Sequence, residues 1–522
     1  MYKKRSGIIF SMLLTTVIMS TAPTESIQAN AGNFDLDGVQ PENVNKNLGN
    51  IQVSMLNTST AASRQQKSYT DHIAVSLIEF PNMKHNQIKS ETDFYTKDFN
   101  KAHYERMLFN NGIFKTPEGI SMPSLNEYYN EQSNGFWNVK GVVSSWMQAK
   151  NNIEYYRDFK GEPFEGFGEL VKETLTQVGQ SIKGKENLYD QKDPDDLDRD
   201  GNKVEPDGFL DNLVVVMAGG TSDMYVVPYT GELKEPAQIP GTTLKAKKFT
   251  IIPEDTAVGT LAHEYGHNLG LPDLYDFGGK GSADMWSLMA FGALNGQPGG
   301  IEPSNFDPWS KMFLQSTYGG KWIKPIEVDY KDLEKKKEFV LEEATSKNPA
   351  RKVIKVNLPP VMKNGVQYPN YYLIEWRSHN GADKGLNKTA AGYKGLSADP
   401  GMIVWYYDGR YTDNQESNHP GHEMLGVIDA HQQILYYNHD KTKPAMSSLQ
   451  NADAAFGLRK TTPIKVETPQ GNVDSPAQEG VSAFSDQNNY TDKILPKLGL
   501  QFKVVKECEN GRGVTIAISK NK

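Results

Sequence analysis

Apolar residues at regular spacing divide the chain into predicted strands and helices. HIAVSLIEFPN (72–82) and NLVVVMAGG (212–220) are runs of β-branched and apolar residues, which predict two buried strands. GFGELVKETLTQVGQSI (166–182) places its apolar residues at helical intervals, and SLNEYYNEQSNGFWNVKGVVSSW (124–146) predicts a helix followed by a hairpin. Because strands and helices alternate in this part of the chain, the pattern predicts a layered α/β domain.

The pattern changes near residue 326, where short apolar runs alternate with clusters of Gly, Pro and Asn. YYLIEWR (371–377) and GMIVWYYDGR (401–410) are two such runs, and this texture is typical of a mostly-β domain. A chain of 522 residues that is 37% apolar is long enough for about three domains. We therefore expect an α/β domain over residues 71–325 and a mostly-β C-terminal domain over residues 326–522.

The N-terminus has the pattern of a secretory signal peptide. The basic start KKR (3–5) precedes an apolar run and the small-residue motif ANA (29–31), so we predict cleavage before Gly32 and an extracellular protein. The apolar run is shorter than the ~20 residues that span a bilayer, and no later segment is apolar enough to hold the protein in a membrane. The signal peptide would cover residues 1–31. Residues 32–70 are polar and are either a pro-segment or a flexible leader.

The charge and the cysteine content of the chain limit which binding partners are expected and what can stabilise the fold. The chain has 56 basic and 64 acidic residues, a net charge of −8 and no Lys- or Arg-rich block, so we expect no nucleic-acid partner. Cys508 is the single cysteine in the sequence, so no internal disulfide can form. We expect core burial and bound metal to stabilise the fold instead.

The stretch LAHEYGHNLGLPDLYD (261–276) predicts a metal site on a helix. Apolar residues recur at helical intervals over residues 257–270. Residues four apart share a helix face, so His263 and His267 can bind one ion through their ring nitrogens, and Glu264 can reach a water on that ion. In a chain with 10 His among 522 residues, accidental HExxH matches are expected on the order of 0.01 times. We interpret the motif as a catalytic zinc site.

Gly270 and Pro272 predict the third ligand. A glycine just past the helix allows the chain to reverse and a following proline prevents the helix from continuing, which brings Asp273 back toward the histidines. Three protein ligands and an open fourth position are typical of catalytic zinc. Asp276 and Glu302 are alternative ligands. If Asp273 binds the metal, Asp276 would orient a ligating histidine; Glu302 as ligand would make the arrangement thermolysin-like.

Met289 follows Asp273 by sixteen residues, in ADMWSLMAFG (283–292). A methionine turn beneath the metal is part of the metzincin pattern, but here the last ligand is Asp rather than His and the methionine comes early. A methionine turn and a core methionine unrelated to the metal both remain open. Tyr265 points to the opposite helix face, so the sequence identifies no donor for the transition state.

Several segments together resemble the secreted immune inhibitor A-type metallopeptidases. They are VSLIEFPN, LNEYYNEQSNGFWNVKG, PDGFLDNLVVVMAGG, HEYGHNLGLPDLYD, FDPWSKMFL (306–314) and WYYDGRYTDNQESNHPGHEMLGVIDAH (405–431). The resemblance extends from about residue 70 to about residue 440. It implies an α/β (α+β) zincin-like catalytic domain with a twisted sheet and an active-site helix, made with a pro-segment. It also supports His263 and His267 as zinc ligands and Glu264 as the base.

The loop DLDRDGNKVEPD (196–207) follows the EF-hand calcium pattern. Aspartates stand at positions 1, 3 and 5, glycine at position 6, and Asp in place of the usual Glu at position 12. Residues 209–220 predict a strand rather than a flanking helix, so we expect a calcium loop without a full EF-hand. A solvated acidic loop is the alternative. The predicted calcium ligands are Asp196, Asp198, Asp200, Asn202 and Asp207.

These patterns predict a secreted zinc endopeptidase that hydrolyses internal peptide bonds of proteins or peptides, with Zn²⁺ and Ca²⁺ as cofactors. Zinc would lower the pKa of a water to about 7 and polarise the substrate carbonyl, and Glu264 would carry the proton to the leaving amine. The alternative is a calcium-dependent binding or adhesion protein with an inactive peptidase-like core. Inactive relatives typically lose the base or a ligand, whereas this chain retains Glu264, both histidines and Asp273.

Overall fold

A computed structural model describes six parts of the chain, residues 68–88, 94–158, 165–221, 228–278, 283–491 and 493–521. The predicted signal peptide and nearly all of the predicted pro-segment or leader lie outside the described residues. Among the residues that are described, no helix is both long enough and apolar enough to cross a membrane.

The part of the chain before residue 326 mixes strands and helices. Its described strands are β1 Tyr69–Glu79, β2 Ile113–Lys115, β3 Ser121–Pro123, β4 Trp137–Gln148, β5 Leu213–Met217, β6 Tyr229–Gln238 and β7 Lys245–Pro253. Its described α-helices are α1 Lys101–Phe109, α2 Leu125–Gln132, α3 Ile153–Arg157, α4 Glu165–Ile182, α5 Val258–Asn268 and α6 Pro308–Tyr318.

Five of these strands form one sheet in the order β4-β1-β5-β7-β6. Strands β4, β1, β5 and β7 are parallel, whereas β6 pairs antiparallel with β7 at the edge. Helix α4 covers one face of the sheet, and α2 and α5 pack with the apolar residues of the other face. The predicted mixed α/β character is confirmed, and α4 is the amphipathic helix that the sequence predicts at 166–182.

Residues 124–146 form a helix and one long strand, so the predicted hairpin is wrong. Strand β4 runs for 12 residues and pairs parallel with β1. The turn in this segment is Asn134-Gly135, with φ values of 52° and 83°, and it connects α2 to β4. Gly141 has a different role, because a Cβ there would lie 2.0 Å from the main-chain oxygen of Ile73. A turn glycine and a close-approach glycine look the same in sequence.

The part of the chain after residue 325 is rich in strands, as predicted. The described elements are β8 Ile326–Asp329, β9 Lys337–Glu342, β10 Val353–Asn357, β11 Val361–Lys363, β12 Val366–Tyr368, β13 Asn370–Arg377, β14 Gly401–Asp408, β15 Leu425–Val427, α7 Ser447–Gln450, β16 Ile464–Thr468, β17 Gly471–Ser475, β18 Ala483–Ser485, β19 Leu500–Glu507 and β20 Gly513–Lys520. Two of the sheets have the orders β15-β14-β13-β10-β8 and β18-β19-β20-β9.

Strands β13 and β14 are buried on both faces. Every residue of both strands is buried. Leu373 and Trp405 face a core that also contains residues of α5, whereas Tyr372 and Val404 face the four-stranded sheet. Double burial explains why these two strands are almost continuous apolar runs rather than alternating ones.

One apolar core crosses the predicted domain boundary. It contains Leu261 of α5 together with Leu373 and Trp405 of the second sheet. Arg377 of β13 is fully buried and donates a hydrogen bond to the Trp286 carbonyl oxygen at 2.5 Å. The boundary at residues 325 and 326 stays a prediction, but the two halves pack on one another across it.

Replacing Gly141 by Ala should destabilise the protein, because the added methyl group would collide with the Ile73 main-chain oxygen. We expect the free energy of unfolding to fall by about 1–3 kcal/mol in urea denaturation. Gly168→Ala in α4 is the matched control. Its Cβ would meet only Leu233, at 3.5 Å, and Ala favours a helix interior by about 1 kcal/mol over Gly. Equal stability of the two variants would contradict the close approach of β1 and β4.

Candidate metal centre

Helix α5 carries the HExxH motif and is buried along almost its whole length. Its C-terminus follows the sequence prediction, since Gly270 has a φ of +89°. The Gly270 N–H donates to the His267 carbonyl at 2.9 Å, and the Leu271 N–H returns to the Gly266 carbonyl at 3.1 Å. This hydrogen-bond pattern reverses the chain, so the residues that follow run back toward the helix.

Three side chains converge where the chain returns to the helix. Asp273 Oδ1 lies 3.0 Å from His263 Nε2 and 3.4 Å from His267 Nε2, and the two Nε2 atoms are 3.1 Å apart. Ligand atoms that bind one tetrahedral zinc at 2.0–2.1 Å are about 3.3 Å from each other. The triangle formed by these atoms therefore has the dimensions of one face of a zinc site.

The second nitrogen of each histidine is held by a main-chain carbonyl. His263 Nδ1 lies 2.9 Å from the Leu288 oxygen, and His267 Nδ1 lies 2.8 Å from the Leu271 oxygen. Each Nδ1 must carry a proton to make such a hydrogen bond, which leaves the Nε2 lone pair of a neutral ring facing Asp273. Metal-binding histidines are oriented in this way by their outer partners.

The electrostatics of the triangle favour a cation. Asp273 Oδ1 is buried and accepts no hydrogen bond of normal geometry, and two imidazole lone pairs point at it. Burial lowers the pKa of His267, but the neighbouring Asp273 carboxylate outweighs burial and raises it to about 9. A raised pKa favours a protonated His267 at neutral pH in the metal-free protein, so proton release would accompany metal binding. The donor set fits a divalent ion of the zinc type.

Glu264 lies beside the triangle, next to the edge strand β6. It is buried, and its Oε2 accepts a hydrogen bond from Thr230 Oγ1 at 2.7 Å. Thr230 Oγ1 also lies 2.9 Å from Thr250 Oγ1 on β7. One hydroxyl group therefore fixes the Glu264 carboxylate. The three-atom group consists of His263, His267 and Asp273 and does not include Glu264.

Tyr275 is a member of the site that the sequence does not identify. Its ring stacks on the His263 ring, with centroids 6.3 Å apart and planes 24° apart. Burial, followed by the charges of Asp273 and Glu264, raises the pKa of Tyr275 well above its usual value. Its phenol thus keeps a proton close to the base. Tyr265 points away from the site, as predicted, and contacts Trp137 behind the helix.

The structure does not bring the two alternative ligands to the histidines. Asp276 accepts hydrogen bonds from the Ser417 hydroxyl at 2.5 Å and from the Gly278 N–H at 3.0 Å. The prediction that Asp276 orients a ligating histidine is therefore wrong, because main-chain carbonyls hold both rings. Glu302 pairs with Lys384 at 2.5 Å.

Met289 lies against helix α5. A Cβ on Gly266 would be 2.7 Å from Met289 Sδ, and the Met289 carbonyl accepts a hydrogen bond from the Leu274 N–H at 2.8 Å. The methionine thus contacts both the helix that carries the histidines and the loop that carries Asp273. Both interpretations of Met289, a methionine turn and a core methionine, stay open.

The acidic loop collects some of the predicted calcium ligands. Ligand atoms of Asp196, Asp198 and Asp200 lie within 4.8 Å of one another, and Asp198 forms a second such group with Asp193 and Glu205. The sequence pattern missed Asp193 and Glu205 because they are outside the EF-hand positions.

The last predicted calcium positions have other contacts. Asn202 donates to Glu205 at 2.6 Å, and Asp207 accepts from the Phe209 N–H at 2.8 Å. Burial, with a smaller contribution from Asp190, raises the pKa of Asp207 to about 6. Asp207 belongs to neither of the two acidic groups of this loop among the described residues.

Both halves of the chain match known protein families. Residues 59–323 match the family described as "Immune inhibitor A peptidase M6, catalytic domain", and residues 366–516 match "Immune inhibitor A-like metallopeptidase, VEG domain". The chain is 27% identical to "Immune inhibitor A" of Bacillus thuringiensis subsp. alesti, over 85% of this chain and 93% of that protein. It is 24% identical to "Pre-pro-metalloprotease PrtV" of Vibrio cholerae, over 86% of this chain and 70% of that protein.

Replacing Asp273 by Ala should nearly abolish zinc retention, because the anionic oxygen of the triangle is lost and two neutral nitrogens remain. Equilibrium dialysis followed by elemental analysis measures the bound zinc. Glu302→Ala is the matched control, since that carboxylate pairs with Lys384 instead, and it should retain zinc. Loss of zinc in the control with retention in Asp273→Ala would reverse the assignment.

Proposed function

The chain belongs to the immune inhibitor A family of M6 metallopeptidases, and on that premise we propose that it is a secreted zinc endopeptidase of zincin-like architecture, which hydrolyses internal peptide bonds of proteins. The observation that carries this proposal is the convergence of His263, His267 and Asp273. Glu264 beside them supplies a carboxylate for proton transfer. Zinc is the proposed metal because two imidazoles, one carboxylate and an open position are typical of catalytic zinc.

The chain's own groups divide the chemistry between them. Bound zinc supplies Lewis acidity, which acidifies water and polarises a carbonyl group. Glu264 then accepts a proton from the attacking water and delivers it to the leaving amine. The Thr230 hydroxyl, which donates to Glu264 Oε2, holds the carboxylate in one orientation during both transfers.

Tyr275 is the proposed donor to the developing negative charge on the substrate carbonyl oxygen. Its phenol is near Asp273 and Glu264 and keeps its proton. A fixed donor aimed at the position where charge develops is worth about 10²–10³ in rate. The stacking on His263 limits the freedom of the ring and favours this role.

Secretion and activation by removal of a pro-segment are also proposals. Residues 1–31 are the proposed signal peptide and residues 32–70 the proposed pro-segment. The name of the Vibrio cholerae relative describes that protein as a pre-pro-metalloprotease, which supports a similar organisation here. The catalytic domain is proposed for residues 71–325 and the mostly-β domain for residues 326–522. The alternative, an adhesion protein with an inactive core, is not favoured by an intact set of candidate ligands and base.

Calcium is the proposed second metal, in the loop of residues 193–207. Asp198 belongs to both groups of acidic side chains in this loop, so it is the proposed central ligand. Positive φ values at Asp196 (51°), Arg199 (62°) and Gly201 (85°) turn the loop sharply enough to direct its carboxylates inward. A cation there would offset their mutual repulsion in a chain without an internal disulfide.

Replacing the base Glu264 or the donor Tyr275 should lower the rate of peptide hydrolysis without removing the metal. Glu264→Gln removes the proton acceptor and should lower peptide hydrolysis by several decades, whereas Tyr275→Phe should lower it by about 10²–10³. Cleavage of casein with and without a zinc chelator, together with elemental analysis, separates activity from metal content. Activity of Glu264→Gln close to that of the unchanged protein would rule out the proposed proton transfer.

Replacing Asp198 by Asn should remove the stabilisation that calcium provides, because both acidic groups lose a ligand. The melting temperature is measured in calcium and in a calcium chelator. Asp207→Asn is the matched control, since Asp207 lies in neither group, and it should keep the calcium-dependent shift. If calcium shifts the melting temperature of Asp198→Asn as much as that of the wild-type protein, the loop is an acidic surface without a calcium site.

A further inference from the structure

The loop that carries Asp273 is held by a segment from the strand-rich half. This segment, residues 413–423, belongs to the connection between β14 and β15 and is here called the clasp. Gln415 Nε2 donates to the Tyr275 carbonyl at 3.2 Å, and Gln415 Oε1 accepts from the Phe277 N–H at 3.2 Å. One carboxamide thus pairs with the main chain on both sides of Asp276, about 140 residues earlier in the sequence.

A second contact fixes the same loop from two residues further along the clasp. Asp276 Oδ2 accepts from the Ser417 hydroxyl at 2.5 Å and from the Ser417 N–H at 3.2 Å. Gly278 lies so near that a Cβ on it would be 2.2 Å from Ser417 Oγ. Side chains of the clasp therefore meet the loop at Tyr275, at Asp276 and at Phe277.

The clasp is itself held in one shape. Asn414 is fully buried, and its side chain both donates to the Leu425 carbonyl, at 2.7 Å, and accepts from the Leu425 N–H, at 3.1 Å. Glu416 accepts from the Gly421 N–H at 2.8 Å, and His419 lies 2.8 Å from Asp413. A segment with these internal bonds, anchored to the first residue of β15, is a rigid support.

The position of the Asp273 carboxylate depends on the path of its main chain. Its Oδ1 accepts no hydrogen bond of normal geometry, and its side-chain contacts are the two histidines and Tyr275, which lies in the same loop. Nearby main-chain anchors are the bond from the Leu274 N–H to the Met289 carbonyl, the bond from the Ala283 N–H to the Leu274 carbonyl and the two bonds of Gln415. A shift of this loop would move Asp273 and the Tyr275 phenol together.

We propose that Gln415 is a positioning residue of the metal centre, which makes the strand-rich half a structural part of the active site. The proposal rests on the zinc peptidase function argued above. Gln415 acts through the main chain of residues 275–277 and contacts neither the metal-binding atoms nor the substrate in this role. Loss of an outer partner of a metal ligand typically weakens metal affinity by 10–100-fold, and we expect a change of about that size here.

The test replaces Gln415 by Ala in the full-length mature protein and measures zinc affinity by competition with a chromogenic chelator. Gln432→Ala is the matched control, because Gln432 makes the same pair of main-chain bonds elsewhere: it donates to the Asp429 carbonyl at 2.6 Å and accepts from the Thr491 N–H at 2.6 Å. We expect Gln415→Ala to bind zinc about 10–100-fold more weakly and Gln432→Ala to bind it unchanged. Equal zinc affinity in both variants would overturn the proposal.

Two further measurements separate positioning from general stability. The cobalt-substituted protein reports ligand geometry in its visible absorption, so the spectrum should change in Gln415→Ala and not in Gln432→Ala. In peptide hydrolysis kcat should fall while KM is unchanged, since the substrate keeps its contacts. A lower melting temperature of the metal-free protein with an unchanged cobalt spectrum would show a purely structural role and overturn the proposal.

Gln415→Glu keeps the size and the acceptor oxygen but cannot donate to the Tyr275 carbonyl. This variant retains the shape of the clasp, so it tests the role of Gln415 even if Gln415→Ala does not fold. We expect it to weaken zinc binding, as Gln415→Ala does. Zinc affinity equal to that of the unchanged protein would overturn the proposal. If the wild-type protein binds zinc but cleaves no protein, the proposed peptidase function is wrong and the proposed role of Gln415 is tested separately. If the wild-type protein binds no zinc, both proposals are wrong.

Discussion

The whole arrangement depends on one electrostatic constraint, which is the crowding of three electron-pair donors around one point. Two imidazole nitrogens and a carboxylate oxygen face each other at hydrogen-bond distance. Such a group is stable only when a cation or a bound proton lies among the donors. Helix α5, the turn at Gly270 and the two carbonyls behind the rings all serve to keep the donors in this position.

The supports of the site come from widely separated parts of the chain. Leu271 and Leu288 provide carbonyls to the histidines, Thr230 of the edge strand holds Glu264, and the clasp holds the Asp273 loop. Met289 fills the space beneath the helix at Gly266. Each support fixes a different side of the centre, so the geometry is determined by the tertiary fold rather than by the HExxH helix alone.

Local patterns in the sequence predict the parts of the site that lie close together along the chain. His263, Glu264 and His267 follow from helical spacing, and Asp273 follows from the conformational freedom of Gly270. The supports could not be predicted, for two physical reasons. Main-chain carbonyls carry no residue signature, and Gln415 meets the loop from 140 residues away, beyond the reach of any local pattern.

The errors in the fold and site predictions have the same origin. The hairpin in residues 124–146 was wrong because Gly141 permits two strands to approach closely, which only the neighbouring strand reveals. The role predicted for Asp276 was wrong because its partner Ser417 is distant in sequence. By contrast, helix α4 and strand β5 were predicted correctly, since burial on one face leaves a periodic pattern and burial on both faces leaves a continuous apolar run in the sequence.

The shared core has a consequence for the order in which the protein is made. Residues of α5 pack in the same core as β13 and β14, and the clasp follows β14 along the chain. During synthesis, the N-terminal half therefore has an uncovered apolar surface until the strands near residue 400 have been made. A chain built in this way can bring its metal-binding residues and their supports together only after most of it has been synthesised.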